Sequence, residues 1–470
     1  MNLSLKRSKK CMKSFELLPT EENLIKTLEM NLLKRNRDLI QFYNLLLLQE
    51  GPCAIALDGR WGSGKTFFVK QTMLLINAMN PMSDMDEEKK NRIIATLPVI
   101  KQDEEMPKGY DVAVYYDAWE NDNDMDPILS LVYEIVKQLG IEYEFEDNSN
   151  VFKLAGAVLE AITGKNVNGI IDNLKGENPL EKIKEERNIH ENIKGFFTEL
   201  LIERGNRLVI FIDELDRCKP AYAVQLLERI KHYLCDDRIT FVFSVNLSEL
   251  QHTIKHFYGN TFDGCRYLDR FFDMRLSLPP ADKNAFYREM GLESNYGLER
   301  VSRRVIDTYN MELREAGRFY KQVKIAAHEP THGSVKWDFS FLDGEAKHFM
   351  LMFIVPILIG LKMVDISLYD AFVTGKNSKP LMDVYLNSQL ETWVVSKLLN
   401  RDESLEKEEG KRLITVEQKL NDLYEAIFVT EYANRANGVI MGKCEFDESS
   451  RLFVKMIESQ LSPYADYEVE

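Results

Sequence analysis

One short stretch holds the residue types that can grip a polyphosphate. In GRWGSGKTFF, which begins at Gly59, the glycines Gly59, Gly62 and Gly64 leave room for successive backbone N–H groups to curl around an anion. Arg60, Trp61, Ser63 and Phe67 fill out the loop, and all of residues 59 to 67 are candidate phosphate-loop positions. Lys65 adds a point charge for the outer phosphates and, as a loop residue, is expected on the solvent side. The Thr66 hydroxyl stands where a Mg²⁺ ion takes an oxygen ligand. Farther on, VIFIDEL ends an apolar run with two acids. Asp213 is suited to the Mg²⁺ shell and Glu214 to orienting and deprotonating an attacking water. Asn246 closes a second apolar run, FVFSVN, where its amide either sits beside that water and reads the terminal phosphate or simply turns the chain.

A G-x-x-x-x-G-K-[ST] spacing arises by chance, so it counts only between a buried strand and a helix. The flanks supply that setting. CAIALD (53–58) is a nearly continuous apolar run of the kind a strand covered on both faces shows, and KTFFVKQTMLLINAM (65–79) follows with apolar residues at helical spacing. Further strands are expected in DVAVYYDAW (111–119), RLVIFIDELDR (207–217), ITFVFSVN (239–246) and FFDMRLSLPP, with helices PILSLVYEIVKQL (127–139) and AVQLLERIKHYL between them. Strands alternating with helices predict an α/β fold, a mostly parallel sheet flanked by helices. Asp213 then lies at the strand edge where such sheets bind ligands, which argues against its being a mere surface acid. Residues 1–50 read as an N-terminal helical segment, 51–280 as the α/β core with a helical insertion at about 140–205, and 281–470 as a C-terminal all-helical domain.

The chain has 470 residues, enough for two or three domains, and a formal charge of −15, which opposes a nucleic-acid function. The basic run MNLSLKRSKKCMKS lacks the apolar stretch of a signal peptide and reads as a solvated arm. Six cysteines without a C-x-x-C pair suit a reducing, cytoplasmic setting. FMLMFIVPILIGL (349–361) is too short to span a bilayer and is interrupted by Pro356 and Gly360, so a buried core helix is expected. His252 and His256 have metal-binding spacing without a Glu between them in H-E-x-x-H order or an evident third ligand. His328 and His332 flank Pro330 and read as a loop.

GRWGSGKTFF, YYDAWEND, LVIFIDELDRCKPAYAVQLLERIKHYL and YLDRFFDMRLSLPP, in that order, resemble the KAP family of P-loop NTPases over roughly residues 20 to 285. The resemblance implies a P-loop NTPase core related to the AAA+ and STAND groups. It implies ATP and Mg²⁺ as cofactors, with residues 59–67 as Walker A and Asp213 and Glu214 as Walker B. It also accounts for the insertion; many members place transmembrane helices there, whereas this sequence has none, so a soluble member without a membrane span is expected. The family usually carries Asp where Asn246 stands. Arg217 is expected to pair with Asp216 or to reach across a subunit boundary, and Trp119 to pack beneath the nucleotide site. In the related AAA+ cores a segment similar to DRFFDMRLSLP bears an arginine that reaches a neighbouring subunit. Arg270 is therefore the first candidate and Arg266 the second, four apart at a helix end and so pointing the same way. Surface pairing with Asp263 and Asp269 is the alternative reading. The function implied is an ATP-hydrolysing molecular switch in bacterial signalling or anti-phage defence, with a homo-oligomer or a protein partner engaged through the C-terminal domain. The alternatives are a motor or loader acting on nucleic acid, opposed by the charge, and a non-hydrolysing ATP-binding scaffold, opposed by Glu214.

Overall fold

All five strands predicted from the sequence form, and they join in one parallel sheet. In a computed structural model the described residues are 17–49, 51–96, 110–124, 126–140, 193–202, 204–233, 236–290, 292, 297–327, 344–429 and 438–447. The basic N-terminal run, most of the 140–205 insertion and the pair His328 and His332 lie outside them. The chain divides into two compact units, Leu18–Ala285 and a second that starts at Phe286.

In the first unit α1 (Glu21–Glu29) and α2 (Asn36–Leu47) precede β1 (Cys53–Asp58), α3 (Lys65–Met79), α4 (Glu87–Ala95), β2 (Asp111–Asp117) and α5 (Pro127–Gln138). Then come β3 (Arg207–Asp213), a 3₁₀ turn (Leu215–Arg217), α6 (Pro220–Tyr233), β4 (Ile239–Val245), α7 (Leu247–Tyr258), α8 (Gly264–Leu268) and β5 (Met274–Ser277). The sheet order is β2-β3-β4-β1-β5. Parallel register aligns Asp117 with Asp213, Asp213 with Ser244 and Asp58 with Val245, so the strand ends that carry the polar residues share one edge.

The continuous apolar runs are explained by cover on both faces. Period-2 alternation sends Val114, Tyr116, Ile210, Ile212, Phe241 and Phe243 toward α5, α6 and α7. It sends Ile55, Leu57, Ala113, Val209, Phe211 and Val242 toward α1, α2 and α3. Every residue of β4 is buried. Truncating a core ring such as Phe211 to Ala would cost about 3–5 kcal/mol.

Local signals set the helix ends. Asp126 accepts hydrogen bonds from the Ile128 and Leu129 amides at 3.0 and 3.3 Å, with Pro127 opening α5. The last carbonyls of α2 are satisfied from across the chain: the Arg207 guanidinium donates to Leu46 O and Leu47 O, both at 2.8 Å.

The second unit is helical, with two short strand pairs added: Glu403–Ser404 beside Arg412–Leu413, and the hairpin Val439–Met441 with Cys444–Phe446. The apolar run 349–361 lies buried in its core as expected, but as two pieces, a π-helical turn Met350–Ile354 and a helix Val355–Val364. Pro356, which has no N–H to donate, sits in the first turn of the second piece, where that lack costs least. Gly360 has a packing reason: a Cβ there would lie 2.5 Å from Val305 Cγ1, on the helix Gly297–Thr308. Among the described residues no helix is long and apolar enough to cross a membrane, and no group of three His, Cys, Asp or Glu could hold a metal ion.

Candidate functional site

The loop after β1 is shaped by backbone demands before any side chain acts. Gly59 donates its amide to Val245 O at 3.1 Å, which ties the loop's start to the end of β4. Gly62 and Gly64 have φ of 81° and 92°, left-handed values that disfavour other residues, so these glycines are required by geometry. The Ser63 hydroxyl donates to Arg60 O at 2.7 Å, and Arg35, from just before α2, donates to Ser63 O at 3.0 Å. Arg60 is exposed, Phe67 packs half-buried against the α3 face of the sheet, and Trp61 is 44% exposed.

Lys65 departs from the sequence reading. Its side chain is buried, not on the solvent side, and Nζ donates to Gly59 O at 2.5 Å and Arg60 O at 3.3 Å. The loop curls so tightly that a side chain at its base points into the ring of the loop's own carbonyls. Burial lowers the Lys65 pKa, opposed by the charges of Asp216, Asp213, Glu214 and Asp58.

Asp213 is fully buried and hydrogen-bonded at both oxygens. Its Oδ2 accepts from Thr66 Oγ1 at 2.7 Å and from the Tyr115 hydroxyl at 3.0 Å, and Oδ1 accepts from the Glu214 amide at 3.0 Å. Tyr115 was not anticipated from the sequence. It lies two residues before Asp117, hence on the same face, and the register of Asp117 with Asp213 brings it there. Burial and the Asp213 charge push its phenol far up.

Glu214 stands at φ 60°, a left-handed value uncommon for a non-glycine residue and of the kind that gathers at functional sites. Burial and then the neighbouring Asp213 raise its pKa from 4.5 to about 7, against the opposing pull of Arg217. Arg217 pairs with Glu214, Nε to Oε2 at 2.5 Å, rather than with Asp216. Asp216 is buried and accepts from Trp61 Nε1 at 2.5 Å, and burial raises its carboxyl pKa. The Arg217 guanidinium carbon lies 5.7 Å from the centre of the Trp61 ring and 5.5 Å from that of Trp119. Trp119, expected as packing beneath the site, is 53% exposed, because the Asp117 carboxylate holds the Trp119 and Glu120 amides in a surface turn.

Asn246 directly follows β4, which lies between β1 and β3, so the topology places it between the glycine loop and the acids. It opens α7 without a side-chain capping bond. The arginine pair is arranged differently from the sequence reading. α8 stops at Leu268, so Arg266 and Arg270 do not share a helix face, and both are exposed. Nor do their side chains take the acids suggested for them: Asp263 caps α8 through the Arg266 amide at 3.0 Å, and Asp269 pairs with Arg275 at 2.5 Å.

A parallel sheet with a glycine loop between its first strand and a helix, one strand away from a buried Asp bonded to the loop's Thr, defines the P-loop NTPase class. The model of the KAP family P-loop domain matches residues 22–329, and the chain belongs to that family. No curated protein matches it.

Proposed function

We propose that the protein binds ATP with Mg²⁺, hydrolyses it, and uses the cycle to switch the arrangement of its C-terminal helical unit. The observation that supports this most directly is the Thr66 hydroxyl at 2.7 Å from Asp213 Oδ2 beside the glycine loop. Two hard oxygens on adjacent elements fit a Mg²⁺ shell, and Thr66 and Asp213 are the residues that would hold the ion. When bound, the ion would supply charge neutralisation to the phosphates. Lys65 and loop amides such as those of Gly62 and Gly64, which are not spent on Val245 O or Arg60 O as the Gly59 and Ser63 amides are, bind the phosphate oxygens. Glu214 takes a proton from water as the water oxygen forms its bond to the γ-phosphorus and the bridge to ADP breaks. A base whose pKa lies at about 7 is matched to that task near neutral pH. Asn246 orients the water from the turn just after β4.

ATP rather than GTP rests on the family resemblance, and competition between the two nucleotides decides it. Glu214→Gln is expected to keep binding of a fluorescent ATP analogue while lowering turnover about 10²-fold or more. Asp213→Asn is expected to move the Mg²⁺ dependence of turnover to higher concentration. Wild-type turnover in Glu214→Gln would sink the assignment of the base. A role in anti-phage defence is tested by phage challenge of bacteria carrying the protein: protection lost in Lys65→Ala supports it, and equal protection with either form removes the nucleotide from that role.

A further inference from the structure

Arg217 occupies a position that core packing does not explain. It lies against two tryptophan rings that remain 44% and 53% exposed, so their burial contributes little to holding them there. The rings come from different places, Trp61 from the glycine loop after β1 and Trp119 from the turn after β2, while Arg217 follows β3. Its charge goes to Glu214, although the buried Asp216 is its immediate neighbour in the chain; Asp216 is instead bonded by Trp61. Trp61 thus touches both the residue that engages Glu214 and the acid beside it. A carboxylate paired at 2.5 Å has a lone pair committed to the guanidinium and is less free to accept a proton from water.

We infer that Arg217 is a positioning residue that latches Glu214 away from the water, and that Trp61 releases the latch when the glycine loop engages a nucleotide. This rests on the ATPase reading above. The coupling runs through Lys65. Its Nζ holds the carbonyls of Gly59 and Arg60, the two residues immediately before Trp61. When Nζ turns to a phosphate oxygen it gives up both carbonyls, the backbone leading into Trp61 relaxes, and the ring moves relative to Arg217. The guanidinium then loses one of its two ring contacts, and Glu214 is freed only once a nucleotide is in place. The pair is largely buried, its side chains 24% and 16% exposed, so opening it draws on the binding free energy of the nucleotide.

The test uses the full chain with MgATP. Arg217→Ala is expected to raise kcat about fivefold or more at unchanged KM, the population shift available when one ion pair and its ring contacts no longer hold the resting state. Arg217→Lys, which restores a cation beside Glu214, is expected to bring kcat back toward the wild-type value. Trp119→Ala, which leaves the glycine loop and both acids intact, is expected to raise kcat in the same direction and serves if Arg217→Ala does not fold. Independently of turnover, a non-hydrolysable ATP analogue is expected to change tryptophan emission in the wild type and not in Trp61→Phe. A kcat for Arg217→Ala at or below wild type with analogue binding kept overturns the latch, as does an emission change that survives in Trp61→Phe. If the wild type fails to bind the analogue, or Glu214→Gln leaves turnover unchanged, the ATPase reading itself fails.

Discussion

Replacing Glu214 by Gln in the ligand-free protein should stabilise it, and only above a defined pH. Glu214 has an ordinary pKa of 4.5 when unfolded and about 7 in the folded chain, because burial and Asp213 disfavour its charge more than Arg217 favours it. Between those values the folded state keeps a proton that the unfolded state has released. The folded state therefore binds more protons there, and stability falls as pH rises from about 4.5 to about 7, then levels off. At about 1.4 kcal/mol for each pH unit of that interval, the loss comes to about 3.5 kcal/mol, an upper figure for a side chain that retains some contact with solvent. Gln keeps the shape and meets the same backbone strain at φ 60° but carries no charge. Urea unfolding of both forms across pH 4 to 8.5 isolates the effect, since all other titrating groups are shared and cancel in the difference. The two should match near pH 4 and diverge until Gln is more stable by about 2–3 kcal/mol at pH 8. Parallel curves, or a less stable Gln form at pH 8, would show that Arg217 fully compensates the carboxylate and would refute the reasoning.

Lys65→Ala should abolish binding of a fluorescent ATP analogue and also cost about 1–2 kcal/mol in thermal unfolding, because Gly59 O and Arg60 O lose a buried donor; an unchanged Tm would show the loop closes without it. Gly442→Ala should destabilise the helical unit by about 2 kcal/mol or more, since Gly442 has φ 61° and a Cβ would stand 2.2 Å from Lys397 O. The melting curve of that variant measures it. If Arg270 acts on a neighbouring subunit, Arg270→Ala should lower turnover by roughly 10³-fold with binding kept, and the wild-type rate per subunit should rise with concentration. A flat rate from a protein that stays monomeric with MgATP removes that idea.

The strands were legible because they are covered on both faces, which writes an unbroken apolar run into the sequence, and the strand CAIALD has the bounds expected of it. The glycine loop was legible because positive φ at Gly62 and Gly64 admits little else. What escaped depends on contacts between residues far apart in the chain. The insertion of β4 between β1 and β3 leaves no local trace, and without that order neither Tyr115 on Asp213 nor the place of Asn246 can be derived. Arg217 chose Glu214 over its chain neighbour Asp216 because the 3₁₀ turn brings positions three apart together. Lys65 reads as a loop charge until the curl of the loop is seen to enclose it. The extent of α8 was over-read, since Arg270 follows the helix and does not belong to it.

Arg35 holds the glycine loop from behind through Ser63 O, and nearby Leu33 accepts from the Asp282 amide at 3.0 Å while Lys34 pairs with the Asp282 carboxylate. A chain trimmed to begin at residue 51 would keep the glycine loop and both acids and still lose the strut that supports the loop's floor. The segment before β1 is thus part of the machine's chassis: Arg35 braces the loop through a backbone oxygen that any residue at position 63 would offer.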